Sequence, residues 1–196
     1  SFKYVAPVAG ALGYKVEDVA VGLGLMANQG IKSGMSGRAM KNILSNMTKP
    51  TKEMASAMQT LGVSLTDDSG NMLSFMDIMK NLRKGFAGGN LGAKEFKESL
   101  QSISDGLEDG EMDEEEYQEK MDTLMTSMYG AGAAEKARLA NMLAGKQGMT
   151  GLLAIVNSSE EDFNKLTSAI QNADGAAENM ANTRLDNLQG DVKLAQ

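Results

Sequence analysis

Between Gly30 and Asp77 the chain alternates apolar helical stripes with residues that cannot continue a helix. That punctuation constrains the fold more than any other feature. Met35, Ala39, Met40, Ile43, Leu44 and Met47 recur at three- to four-residue spacing, which places them on one face of a helix. Pro50 ends that stripe, and its fixed φ suits the first turn of the next helix. A second stripe, Met54, Ala55, Met58 and Leu61, is closed by Gly62, where a helix favours a left-handed residue. Val63-Ser64-Leu65 alternates like a short extended piece, and Asp67-Asp68-Ser69-Gly70 has turn chemistry. A third helix is expected from near Leu73, using Phe75, Met76, Met79 and Leu82.

Twenty-two glycines extend this punctuation along the chain. Interior Gly costs a helix about 1 kcal/mol against Ala, so Gly22/Gly24, Gly34/Gly37 and Gly88-Gly89 are expected to break it into helices of ordinary length. The fold class is therefore all-α: a compact multi-helix domain of eight to ten short helices, with a minor two-stranded hairpin near residues 63–73. At 196 residues the chain is long enough to bury a real core. Sixteen Met against four Tyr, five Phe and no Trp make that core unusual. Met packs adaptably and specifies one geometry poorly, but most of these Met fall where helical spacing buries them.

Function classes are narrowed by what is missing. Without Cys there are no disulfides, thiolate nucleophiles or cysteine metal sites. Without His the commonest general base and transition-metal ligand are gone. No pair of acids stands in an apolar setting that would separate two carboxyl pKa values. No enzyme, catalytic residue or cofactor is expected. No apolar stretch approaches the roughly 20 residues that span a bilayer, and no basic-then-apolar leader opens the chain. A soluble piece of a longer protein is the expectation, since the chain starts at Ser1 without an initiator Met.

Charge is concentrated. Residues 105–122 hold Asp105, Glu108, Asp109, Glu111, Asp113, Glu114, Glu115, Glu116, Glu119 and Asp122 against Lys120 alone, a net of −9. Since the whole chain carries −7, everything else sums to +2. Asp105, Asp109, Asp113 and Glu116 fall at the first, fifth, ninth and twelfth places of a calcium-binding EF-hand loop, with Gly110 at the sixth. Flanking stripes, Phe96/Leu100/Ile103 and Tyr117/Met121/Leu124, suit helix–loop–helix geometry. Leu107 occupies the third place, where an oxygen ligand is required. The alternative needs no ion: Asp113 caps the second helix, Glu116 follows three residues on, and Glu114 and Glu115 favour its positive end. Capping is the expected role, and the four acids are weak metal candidates only.

Lys80, Arg83 and Lys84 form one small basic cluster beside Gly85-Phe86-Ala87-Gly88-Gly89. Phosphate binding needs a basic stripe on a positive domain, so a solvated helix end followed by a hinge is expected, and no nucleic-acid site. Near the end, Phe163, Leu166, Ile170, Ala173, Ala177 and Met180 form a heptad seam after the Asn157-Ser158-Ser159 start signal. Packing of the seam on the domain itself is favoured over a second copy, because Gly175 interrupts it and Arg184 lies on its continuation.

These punctuation points, in this order, resemble one family. The family's signature is an "ANxGI"-like turn, a helix with a small residue and paired aliphatics, a "P-(S/T)-K-E" start, an "LG(V/I)" stop and an aspartate-glycine turn. They stand here as Ala27-Asn28-Gln29-Gly30-Ile31, Ala39 with Ile43-Leu44, Pro50-Thr51-Lys52-Glu53, Leu61-Gly62-Val63 and Asp68-Ser69-Gly70. A closing cluster, Asn172-Ala173-Asp174-Gly175-Ala176-Ala177 through Met180-Ala181 to Leu185-Asp186-Asn187-Leu188-Gln189-Gly190, is similar to the family's "GAAxxMA…LxNLxG". The family is the tail tape-measure proteins of bacteriophages and prophages, and the likeness spans most of residues 16–88 and 129–194. It implies a virion structural protein that sets tail length, fills the tail tube and leaves it when DNA is delivered. Its implied partners are tail tube proteins, tail assembly chaperones and other copies of itself. The implied location is the tail lumen, with the host cytoplasm during assembly. The competing reading is a calcium-responsive EF-hand-like binding module. By this division residues 1–88 are an N-terminal helical part, 89–128 an acidic helix–loop–helix insertion, and 129–196 a C-terminal part ending in a longer helix.

Overall fold

The computed structural model describes residues 2–173. Among the described residues nine α-helices follow one another: α1 (Phe2–Ala11), α2 (Val16–Asn28), α3 (Ser33–Thr48), α4 (Lys52–Thr60), α5 (Phe75–Gly85), α6 (Ala93–Glu108), α7 (Glu114–Tyr129), α8 (Ala133–Ala144) and α9 (Met149–Val156). Short 3₁₀ turns precede α8 and α9, and a further helical run occupies residues 160–173. No helix among the described residues is long and apolar enough to cross a membrane. The fold is all-α.

The helix boundaries follow from local chemistry. Thr51 accepts the Met54 N–H and starts α4, immediately after Pro50. Gly62 stops α4 with φ +69°. Ser74 caps α5 through the Asp77 N–H, so the third helix begins at Phe75, slightly later than expected. The hairpin expected near 63–73 reduces to one antiparallel bridge, Thr66 with Met72. Asp67 closes its turn by accepting the Ser69 and Asn71 N–H groups, both at 2.9 Å.

Two glycine pairs behave differently from the sequence expectation. Gly22 and Gly24 lie inside α2, and Gly34 and Gly37 inside α3, so neither pair breaks a helix. The first pair admits neighbours. A Cβ on Gly22 would stand 2.7 Å from Met40 Cε, and one on Gly24 would stand 3.1 Å from Leu166 Cδ2. Close helix approach outweighs the propensity cost at these positions. Gly88 does interrupt the chain, with φ +89°, between α5 and α6.

The core is organised around α9, whose eight residues, Met149–Val156, are all buried. A helix apolar on every side must be enclosed. Helices α2, α3, α5, α6 and α8 pack around it. Gly151 gives the closest approach, since a Cβ there would lie 2.8 Å from Ala39 Cβ on α3. At its C-terminal end the Ile155 carbonyl accepts the Arg83 guanidinium at 2.8 Å, and that guanidinium lies 4.8 Å from the centre of the Phe163 ring. Arg83 therefore joins α5, α9 and the 160–173 helix.

Buried side chains from residues 5–163 form one cluster, including twelve methionines. The Met-rich stripes are core, except that Ala55 of the second stripe is exposed and Ala57 is buried in its place. Phe163 is buried, while Leu166 and Ile170 are half-buried against the same core. Of the described seam residues, Phe163, Leu166 and Ile170 pack on this core, whereas Ala173 is exposed. Ala177, Met180 and most of the closing motif lie outside the described residues.

Packing at Gly151 generates a prediction. Gly151→Ala should destabilise the chain by about 1–3 kcal/mol, as an overpacked core position does. Gly10 lies inside α1, where an added methyl would meet nothing within 4 Å. It should respond oppositely, gaining about 0.4–1 kcal/mol as Ala. Urea unfolding of the two variants checks both signs. Equal small effects would mean that α3 and α9 do not approach closely.

Candidate functional site

The acidic segment forms an antiparallel helical pair, α6 and α7, joined by a short turn. Phe96, Leu100 and Ile103 bury one face of α6, and Tyr117, Met121, Leu124, Met125 and Met128 one face of α7. Gly110, at φ +72°, makes the reversal after α6. Asp113 begins α7 by accepting the Glu116 N–H at 2.8 Å, with Glu114, Glu115 and Glu116 in the first turn. This is the capping arrangement expected from the sequence.

The four metal candidates are placed apart in role. Asp105 lies within α6, Asp109 is its C-cap, Asp113 is the N-cap of α7, and Glu116 pairs with Lys120 at 3.1 Å. Lys32, just before α3, reaches Asp109 at 2.7 Å and Asp105 at 4.0 Å. Its hydrogen bond to Asp109 raises the Lys32 pKa, outweighing desolvation, and the charges of Asp109, Asp105 and Glu108 add to it. Arg38 pairs with Glu108 further along α3. Among the described residues no three or more His, Cys, Asp or Glu converge as a metal group would require. Of the four candidates, Asp105 and Asp109 thus face a cation from outside the segment, Lys32, and Glu116 faces one from within it, Lys120.

A further tie fixes the start of α7 to the turn before α9. Lys146 donates to Glu114 at 2.8 Å. That bond, with the lysine's charge, lowers the Glu114 pKa. Tyr117 donates its hydroxyl to the Lys146 carbonyl, and burial pushes its pKa well up. At the far end of α7 burial pushes Tyr129 up to about 12, against the opposing effect of its 3.0 Å bond to Asn157 Oδ1. Both phenols therefore act as neutral hydrogen-bonding anchors.

The basic cluster at the end of α5 is divided. Lys80 and Lys84 are exposed, whereas Arg83 turns inward to Ile155 and Phe163, and its burial lowers its pKa. The glycine-rich stretch after it leads to one backbone bond, Asn90 N–H to the Met128 carbonyl at 2.8 Å. That bond holds the start of the α6–α7 pair beside its end.

Residues 1–94 match the family model described as phage-related minor tail protein. The chain is 31% identical over 193 residues to the tape measure protein of Pneumococcus phage Dp-1. It is 27% identical, also over 193 residues, to the probable tape measure protein of Escherichia phage P2. Each alignment takes in 98% of this chain. Along nearly its whole length the chain matches a stretch of phage tail tape-measure proteins. It spans 13% and 19% of the lengths of those two relatives. No solved structure matches it.

The family match covers α1 through α5 and ends at the start of α6. The tape-measure alignments continue through nearly the whole chain, acidic pair included. The acids are legible in the sequence, but their partners are not. Lys32 and Asp109 stand 77 positions apart, Arg38 and Glu108 stand 70 apart, and Lys146 and Glu114 stand 32 apart. Only the excess of cations outside the segment signalled that such pairs could form.

The Asp113 cap generates the second prediction. Asp113→Ala should lower stability by about 1 kcal/mol, by the same amount with or without millimolar calcium. Calorimetric titration of the native chain with calcium or magnesium should give no binding tighter than the millimolar range of weak modules. Tight binding by the native chain, lost in the variant, would replace the cap with an ion site.

Proposed function

We propose that this chain is a folded helical domain within a tail tape-measure protein, the virion component that sets tail length, occupies the tail tube and is released at DNA delivery. The observation that carries this reading is the similarity to tape measure proteins from two phages along 98% of the chain. The protein acts by contact, with tail tube proteins, tail assembly chaperones and other copies of itself. It resides in the tail lumen after assembling in the host cytoplasm. The absence of His and Cys and the ordinary structural roles of the acids support a non-enzymatic part. Asp105, Asp109, Asp113 and Glu116 serve helix ends and ion pairs rather than a metal. Residues 89–128 are an acidic elaboration between the N-terminal part, 1–88, and the C-terminal part, 129–196.

As a domain, the segment contributes a binding unit and not a length of ruler. A ruler gains about 1.5 Å per residue as continuous helix, whereas these helices fold back on one another around α9. Deleting all 196 residues from the parent chain would remove about 294 Å of tail if they ran as one helix. The expected result is a much smaller loss, or failed assembly. Proportional shortening is expected only when a glycine-poor helical spacer elsewhere in the parent is cut. Electron microscopy of particles carrying each deletion measures this. Proportional shortening from the first deletion contradicts the domain reading, and unchanged tails after both contradict the tape-measure role.

A further inference from the structure

The outward side of the α6–α7 pair carries a groove of about 530 Å³. Its floor is apolar, formed by Leu91, Ile103 and Leu124, the last two buried. Its walls are short: Ser99 and Ser102 on α6, Thr123 and Ser127 on α7. Short side chains on two adjacent helices leave a trough into which the ridge of a third helix fits. Along α6 the groove runs from Glu95 to Ile103, about 12 Å at 1.5 Å per residue, or a little over two helical turns.

The rim decides what can lie there. Glu95 stands on one wall, Glu116 and Glu119 on the other, with Lys120 beside them. Lys120 is already paired with Glu116 at 3.1 Å. Glu95 and Glu119 are exposed and have no ion-pair partner among the described residues. They belong to a segment whose acids greatly outnumber its bases, so an acidic occupant is repelled and a basic one attracted.

We propose that this groove takes one amphipathic helix of another tail protein, its apolar seam on Leu91, Ile103 and Leu124 and its Lys or Arg flanks against Glu95 and Glu119. A second copy of this chain is the poorer occupant. Helix α5, whose last turn carries Arg83 and Lys84, has already buried Phe75, Ile78 and Leu82 in its own core. The source of the partner rests on the tape-measure reading; the shape and charge of the groove do not.

The test uses the intact parent chain during tail assembly, with a photo-crosslinking residue in place of Ser99 and the joined peptides read by mass spectrometry. One helical peptide of another tail protein is expected, with basic residues flanking an apolar seam. Its yield should fall at least tenfold when Glu95→Lys and Glu119→Lys are combined. It should fall equally with Thr123→Trp, which fills the trough without changing charge. A crosslink to a second copy, to nucleic acid or to a segment lacking basic flanks overturns the proposal, as does no crosslink in assembled tails. A crosslink that survives Thr123→Trp reduces the groove to diffuse charge attraction and overturns it equally. Thermal melting of each variant chain checks folding; should a variant melt early, Glu95→Gln with Glu119→Gln and Thr123→Leu replace it. Tails that assemble without the parent chain count against the tape-measure reading, separately from the groove.

Discussion

Helix α9 has no polar face, and the rest of the domain is arranged to satisfy that fact. Its sequence, Met-Thr-Gly-Leu-Leu-Ala-Ile-Val, offers water nothing but Thr150 and the backbone, and every residue is buried. Burying a side chain such as Leu152, Leu153 or Ile155 contributes about 1.5–3 kcal/mol each, so enclosure on all sides is a large favourable term. It requires neighbours that approach closely. Gly151 and Ala39 provide this between α9 and α3, and Gly22 provides it between α2 and Met40. The glycines and methionines are two halves of one solution, small residues setting the spacing and flexible thioethers filling what remains.

The charged segment is held by different means. Its apolar faces join the common core, while its tip is fastened by Lys32, Arg38 and Lys146 to the acids around the turn. Exposed ion pairs contribute little each, so they set where the tip lies more than how stable the domain is. Arg83 is the opposite case: half-buried, it fastens three elements at once through a carbonyl and an aromatic ring. The outer surface of the acidic pair is left polar and grooved.

What was legible in the sequence was local. The Met35–Met47 stripe, the stop at Pro50, the left-handed Gly62 and the Asp113 cap depend on neighbours within a turn or two, and each stands where periodicity and capping rules put it. Gly22 and Gly24 were misleading because propensity sees only the cost of a missing side chain, whereas the reason for its absence, Met40 and Leu166, lies in other helices. Helix α9 offered no contrast between faces, so periodicity had nothing to register. Of the candidate site, the acids and the cap were readable. The cations that meet them were not, because pairing across 32 to 77 positions is fixed only by the tertiary fold.

These helices fold back on α9 as a compact domain rather than running end to end. Small-angle scattering of the 196-residue chain tests this most directly. A compact chain of this length should give a radius of gyration of about 16 Å. A value several-fold larger, with the scattering profile of a rod, would show that the helices run end to end and that α9 is not enclosed.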